Sequence, residues 1–108
     1  MNHAYMRLLN LMQQDLQLDV DTKAQKLLEL IAVAHERGEA MTVNQAMSHQ
    51  EIASAATLHR KITQLLDAGL IVCTFQGRNR RSKYLVPSAK AQSHFEKMGQ
   101  LIVEIAHS

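Results

Sequence analysis

The stretch that decides the fold of this chain is SAATLHRKITQLLDAGLIVCTFQGRNRRSKYL, residues 54–85. Ser54 can accept a hydrogen bond from a backbone N–H in the first turn of a helix, which makes it a good N-cap. Gly69 tolerates the left-handed conformation that commonly ends a helix, and the strand-like residues 70–72 follow it. The stretch therefore predicts a helix over residues 54–68 and then a β-hairpin.

The predicted helix has two chemically different faces. Apolar side chains at helical spacing predict the face that packs on the core, and these are Leu58, Ile62, Leu65 and Leu66. The opposite side is polar, short-chained and almost free of acid. It carries Ala56, Thr57, Arg60, Thr63 and Gln64, with His59 and Lys61 on its flanks. A helix with such a face suits the major groove of DNA.

The hairpin after this helix carries most of the positive charge. We predict strands over residues 71–75 and 81–86, joined by a loop over residues 76–80 that includes the turn-forming Gly77 and Asn79. Its basic side chains are Arg78, Arg80, Arg81 and Lys83. Alone, such a charge run is as typical of a solvated surface hairpin as of a nucleic-acid contact. The preceding helix favours the second interpretation, a basic wing beside a DNA-reading helix.

The charge is unevenly distributed between the two halves of the chain. The net charge is +2, but residues 1–53 contain four basic and seven acidic residues, whereas residues 54–108 contain eight and three. A polyanion would therefore bind the second half, because a localised patch steers a charged partner more effectively than net charge does.

Length and composition indicate one ordinary globular domain, residues 1–108. Hydrophobic residues make up 46% and charged residues 20%, while aromatic residues are only 4%, which favours helices over a β-sandwich. No stretch approaches the roughly 20 apolar residues of a membrane span, and the N-terminus lacks the pattern of a secretory signal. With a single cysteine, the chain is expected to be cytoplasmic.

The remaining periodicities complete the element order α-α-β-α-α-β-β-α. An N-terminal helix is predicted over residues 1–18, and a longer one from the Asp21-Thr22 cap to Gly38. A short extended segment (41–43), a short helix (44–49) and a turn (50–53) precede the Ser54 helix, and Ser88 caps a last helix over residues 88–106. The predicted fold is mainly α with a small β-hairpin wing (α+β), a winged helix-turn-helix over residues 41–86.

Residues 41–91 resemble the winged helix-turn-helix of the multiple-antibiotic-resistance-regulator (MarR) family of bacterial transcription factors. The matching segments are MTVNQAM (41–47), SAATLHR (54–60), LLDAGLI (65–71), RNRR (78–81) and PSAKA (87–91). The resemblance implies a transcription regulator, with a repressor as the expected type, that binds double-stranded DNA. The chain departs from the family pattern twice: Asn79 replaces an aspartate in the wing, and one C-terminal helix stands where the family generally has two.

On this interpretation the Ser54 helix reads DNA. Arg60 can form a bidentate pair of hydrogen bonds with guanine, and Gln64 can do so with adenine. Ala56 and Thr57 can reach thymine methyls or phosphates. His59 and Lys61 would reach backbone oxygens, although His59 could instead cover the edge of the core. Phosphates or the minor groove would be contacted by Arg78, Arg80, Arg81 and Lys83, one of which could instead brace the hairpin.

The terminal helices carry more apolar surface than one small domain needs. The residues concerned are Tyr5, Leu8, Leu9 and Met12 in the first helix and Phe95, Met98, Leu101, Ile102 and Ile105 in the last. Apolar patches of this kind commonly mark interfaces, and we predict a two-fold dimer that binds a pseudo-palindromic operator. The alternative is that the two termini pack on each other within one chain.

Other chemistry is not predicted. Six scattered histidines lack metal-ligand spacing, no cofactor motif is present, and no pattern identifies a small-molecule effector. We expect Cys73 to be a buried, inert strand residue. The absence of a nucleotide-binding loop, a nucleophile elbow or a set carboxylate pair argues against an enzyme. A winged-helix module that binds proteins and not specific DNA stays open as the second interpretation.

Overall fold

A three-stranded sheet and five helices form the parts of the chain that the structure, a computed structural model, describes: residues 2–12, 18–76 and 79–107, with side chains for 3–10, 18–75 and 82–107. The elements are α1 (Asn2–Met12), α2 (Thr22–Glu36), β1 (Met41–Thr42), α3 (Val43–Met47), α4 (Ala55–Asp67), β2 (Ile71–Gln76), β3 (Asn79–Pro87) and α5 (Ala89–Ala106). This order confirms the predicted one. The chain divides into two compact units, Val20–Ala91 and a terminal-helix unit made of Met1–Asp19 and Gln92–Ser108.

The unit Val20–Ala91 is built on an antiparallel sheet with strand order β1-β3-β2. Leu85, near the end of β3, pairs with Met41 of β1 on one side and with Cys73 of β2 on the other. Helix α2 packs against α4 and β3, and α3 packs against α4. The long central strand β3 therefore joins the wing to the rest of the unit.

The core of this unit is aliphatic. Its fully buried large side chains are Leu27, Leu28, Ile31, Leu58, Leu65, Leu70, Ile71 and Leu85. They come from α2, α4 and the sheet, with Leu70 from the residue before β2, so the inner face of α4 packs against both α2 and the sheet. Burying a leucine in such a core contributes about 1.5–3 kcal/mol relative to leaving it exposed.

Leu66 departs from the prediction that it faces the core, because its exposed fraction is 38%. At about 100° per residue, Leu66 lies roughly 80° around the helix from Leu58, whereas Ile62 and Leu65 lie within about 40° of it. The buried stripe of α4 is therefore narrower than its apolar residues suggest.

The predicted hairpin loop over residues 76–80 is wrong. Gln76 pairs with Asn79, so both strands run closer to the tip than expected, and the register shifts between Thr74 and Gln76. A two-residue connection is long enough for a hairpin, and pairing satisfies backbone groups that a longer loop would leave to solvent. Residues 77 and 78 at the tip lie outside the described ranges.

The terminal-helix unit contains α1 and the part of α5 from Gln92 onward. The N-terminal helix, predicted to reach residue 18, is described as far as Met12, and residues 13–17 lie outside the described ranges. The last helix matches its predicted range, with Ser88 before its first residue, Ala89. None of the helices in the described ranges is long and apolar enough to cross a membrane.

Candidate nucleic-acid interface

Helix α4 starts and ends at the residues predicted from the sequence. Ser54 has an extended backbone (φ −63°, ψ 159°), and its side chain accepts a hydrogen bond from the N–H of Thr57. At the other end Ala68 is the C-cap, and Gly69 has a φ of +71°, which is the left-handed region that favours glycine. Both predicted boundaries of the helix are confirmed.

The segment before α4 is a second capped helix. Thr42 and Gln45 form a capping box at the start of α3, in which the Gln45 N–H donates to Thr42 Oγ1 and the Thr42 N–H donates to Gln45 Oε1. Ala46 of α3 is fully buried, and a turn over residues 50–53 leads to Ser54. The predicted short helix at 44–49 thus lies slightly earlier, because Thr42 and not Val43 is the last extended residue.

Two side chains from the start of α5 hold the far end of α4: Ser88, which was predicted only as the cap of α5, and Lys90, which was given no role. The Ser88 hydroxyl donates to the Gly69 carbonyl oxygen at 2.6 Å and accepts from the Ala91 N–H at 3.1 Å. The Lys90 ammonium donates to the Ala68 carbonyl oxygen at 3.2 Å. These contacts satisfy carbonyl groups that a helix end leaves without partners. They link the end of α4 to the start of α5.

Of the seven candidate residues of α4, five lie on its outward side, and His59 and Lys61 lie on its flanks. The exposed residues are Ala56, His59, Arg60 and Thr63. The half-buried residues are Thr57, Lys61 and Gln64. The only acidic residue within α4 is Asp67, its last. The outward face therefore presents an N–H-rich first turn and basic or neutral side chains, which suits a polyanionic partner.

A hydrogen-bonded group at the start of α4 holds Arg60. The Thr57 Oγ1 atom accepts from Arg60 Nη2 at 3.0 Å and from the Ser54 hydroxyl at 3.1 Å. The contacts form at a spacing of three residues, which places side chains on the same helix face. The guanidinium of Arg60 is thus directed toward the first turn of α4, and the Thr57 hydroxyl keeps its own hydrogen for a further acceptor.

Lys61, on the flank of α4, binds an acidic residue 40 positions earlier in the chain. Its ammonium donates to Asp21 Oδ2 at 2.5 Å. Asp21 is also the N-cap of α2, where its Oδ1 atom accepts from the Ala24 N–H at 2.8 Å. The hydrogen bond from Lys61, with that from Ala24 second, holds the pKa of the Asp21 carboxyl below its ordinary value. The cap is the one predicted from the sequence, whereas the ion pair was not predicted.

Acidification is expected to weaken the contribution of Asp21 to folding. Because its pKa is lowered in the folded protein, the stabilisation is present above the ordinary value of 3.8 and is lost as the pH falls through the lower folded-state pKa. The side chain is 44% exposed, and solvent screening limits the ion pair to about 0.2–1 kcal/mol. Urea unfolding at neutral and at strongly acidic pH should show a larger loss for the wild type than for Lys61→Met. Equal losses would contradict a stabilising pair.

The wing is described in part. Lys83 is exposed on β3, and Arg80 and Arg81 are strand residues whose side chains lie outside the description, as Arg78 does entirely. Cys73 on β2 is exposed, so the expectation of a buried cysteine is wrong. Ile71 at the start of β2 is buried, whereas Val72 is 46% exposed, because successive side chains of a strand point to opposite faces of the sheet; Phe75, nearer the tip, is 41% exposed.

The other candidate site is an open groove of about 380 Å³ between α2 and the turn before α4. It is lined by Lys26, Glu29, Leu30, Val33, Glu51 and Ile52. Across the described ranges, His, Cys, Asp and Glu side chains form no group of three that could hold a metal ion. The groove offers neither a clustered set of ligands nor an enclosed cavity.

The fold resembles several solved structures at low sequence identity. MepR of Staphylococcus aureus in a complex with DNA is 14% identical, with a TM-score of 0.56 over 98% of this chain and 87% of that chain. FabT of Streptococcus pneumoniae in complex with DNA is 17% identical, with a TM-score of 0.56 over 99% and 73%. Staphylococcus aureus MarR in complex with salicylate and kanamycin is 16% identical, with a TM-score of 0.56 over 82% and 56%.

No protein-family model and no curated protein matches the sequence. Identities of this size relate folds only, and TM-scores of 0.56 over most of this chain show that it shares its overall fold with the three structures. The chain has the winged-helix fold of the MarR-type regulators.

Proposed function

We propose that this chain is a transcription regulator that binds double-stranded DNA, with α4 in the major groove and the β2–β3 wing on the backbone or in the minor groove. The observation that carries the proposal is the outward face of α4, where Arg60 is held in place and acid is absent until Asp67. Two solved structures of the same fold are complexes with DNA, which supports the same use here. A repressor acting in the cytoplasm is the form of regulator we favour.

The residues divide by the reach and chemistry of their side chains. Arg60 and Gln64 are long enough to bind base edges from within the groove. Thr57 and Ala56 lie in the first turn of α4, and the free hydroxyl hydrogen of Thr57 suits a phosphate oxygen. His59 and Lys61 are backbone candidates, and the wing candidates are Arg78, Arg80, Arg81 and Lys83.

Selection of bound duplexes from a random DNA pool, followed by a salt titration of the winners, tests the proposal. We expect an enriched sequence, and affinity that falls as salt rises by a logarithmic slope of about −0.9 for each phosphate contacted. Enrichment of no sequence, together with no binding of any duplex at low salt, would contradict it.

We further propose that the protein acts as a homodimer joined through its terminal helices. Among the described side chains of the terminal-helix unit, the large apolar residues that are exposed include Tyr5 and Ile102 from the predicted set, with Met6 and Val103 beside them in sequence. The rest of the set with described side chains, Leu8, Leu9, Phe95, Met98, Leu101 and Ile105, is half-buried. Large apolar side chains with exposed fractions of 46% to 62% in a single chain favour a surface that a second chain covers.

Sedimentation at micromolar concentration is expected to give the mass of two chains. Ile102→Glu should shift the protein toward the monomer, because it places a charge in the proposed interface. Gln100→Glu adds the same charge at an exposed position of α5 and serves as the matched control. A wild-type monomer would overturn the dimer, and with it the expectation of a pseudo-palindromic operator.

The same exposed residues support a second candidate function, a winged-helix module that binds another protein. The two functions differ in what Ile102→Glu affects. If the chain is an interaction module, Ile102→Glu would abolish binding to the partner protein. Random and selected duplexes would then bind with the same weak affinity. In the regulator Ile102→Glu would weaken binding to a two-half-site operator far more than binding to a single half-site.

A further inference from the structure

One carboxylate connects the start of α2 with the DNA-facing helix. Asp21 accepts the Ala24 N–H with Oδ1 and the Lys61 ammonium with Oδ2. The Lys61 side chain is 21% exposed and its charged end rests on the carboxylate, whereas Arg60 on the same helix is exposed. Two adjacent cations of α4 therefore have different surroundings: one is held by a neutral hydroxyl, the other by an anion.

The difference determines how much each cation can contribute to DNA affinity. A cation that neutralises a phosphate releases condensed counterions, which steepens the logarithmic salt slope by about 0.9. Lys61 is already neutralised by Asp21 within the folded protein, so binding a phosphate would require it to leave or share that carboxylate. The pKa of Asp21 is lowered from an ordinary value that is already acidic, so the carboxylate is charged near neutral pH and the competition persists there.

We propose that Asp21 is a positioning residue that holds Lys61 away from the DNA phosphates and thereby limits the sequence-independent part of DNA affinity. The inference rests on the proposed function. It removes Lys61 from the expected phosphate contacts and assigns the recognition by α4 to Arg60, Gln64 and Thr57. A purely structural ion pair would alter the free energy of unfolding but leave the salt slope of DNA binding unchanged.

The test compares four variants of the full chain by equilibrium binding to a selected duplex and to a random-sequence duplex over a range of salt concentrations. Asp21→Asn keeps an oxygen for the N-cap and removes the charge. Lys61→Met removes the ammonium, and the double variant removes both. Asp19→Asn, at an exposed position two residues away, changes the net charge equally and serves as the control.

Asp21→Asn is expected to bind both duplexes roughly five- to tenfold more tightly near 0.1 M salt, with a slope steeper by about 0.9, because Lys61 becomes free to bind a phosphate. The gain should be equal on both duplexes, so their affinity ratio stays constant. Lys61→Met and the double variant should both keep the wild-type slope. Asp19→Asn should bind with the wild-type slope.

A slope less steep by about 0.9 in Lys61→Met would overturn the inference, because Lys61 would then bind phosphate with Asp21 present. Equal slopes in Asp21→Asn, Asp19→Asn and the wild type would also overturn it, while leaving the proposed function intact. Absence of binding by the wild type at low salt would overturn both. Should Asp21→Asn fail to fold, the slope of Lys61→Met decides the question.

Discussion

Leu58→Ala is expected to lower the free energy of unfolding by about 2–5 kcal/mol. Leu58 is fully buried on the inner face of α4, and truncation removes its transfer free energy and leaves a cavity. Urea unfolding followed by circular dichroism measures the change. We expect a shift in the midpoint with little change in the slope m, because the folded state stays compact.

Leu66→Ala is the matched control, since it removes the same atoms from the same helix. Leu66 is 38% exposed, and its loss should cost well under half as much as that of Leu58. Equal losses in the free energy of unfolding at the two positions would mean that Leu66 is buried, in contradiction to its exposure in the structure. The comparison also checks which face of α4 is available to DNA.

Arg60→Ala is expected to weaken binding to the preferred duplex by about 1–3 kcal/mol and to relax base preference at one position. The Thr57 hydroxyl holds the guanidinium of Arg60 at 3.0 Å, so little side-chain freedom is lost when it binds a base. Competition assays with single-base variants of the selected duplex measure both effects. Circular dichroism should be unchanged, because Arg60 is exposed.

Lys83→Ala on the wing is the comparison for Arg60→Ala. Lys83 is exposed on β3, and its loss should weaken all duplexes alike and make the salt slope less steep by about 0.9. Arg78→Ala is expected to behave in the same way. If Arg60→Ala and Lys83→Ala changed the affinity for every duplex by the same factor, the division between base reading by α4 and backbone binding by the wing would be wrong.

Local chemistry made the helices and their ends predictable. Ser54 accepts the Thr57 N–H, Asp21 accepts the Ala24 N–H, and Gly38 and Gly69 have positive φ values of 74° and 71°. These preferences act over three or four residues, so they can be recognised without knowing what the chain packs against. The apolar period of α4 likewise indicated its inner face.

The predictions that went wrong depended on neighbours in space. Leu66 and Cys73 were expected to be buried, but burial depends on which elements cover them, and the helices cover neither. The wing strands extend to Gln76 and Asn79 because pairing across the hairpin outweighs the turn preference of the individual residues.

Helix α4, its two faces and the hairpin that follows it were determined by residues close together in the chain, because capping, helical periodicity and turn formation are local. Which charges are available on the side of α4 proposed to face DNA was decided by the tertiary structure. Lys61 was predicted to contact backbone oxygens of DNA, whereas the fold places Asp21, 40 residues away in sequence, at 2.5 Å from its ammonium. A charge can be read from one residue, but whether it is available to a partner depends on what the fold brings into contact with it.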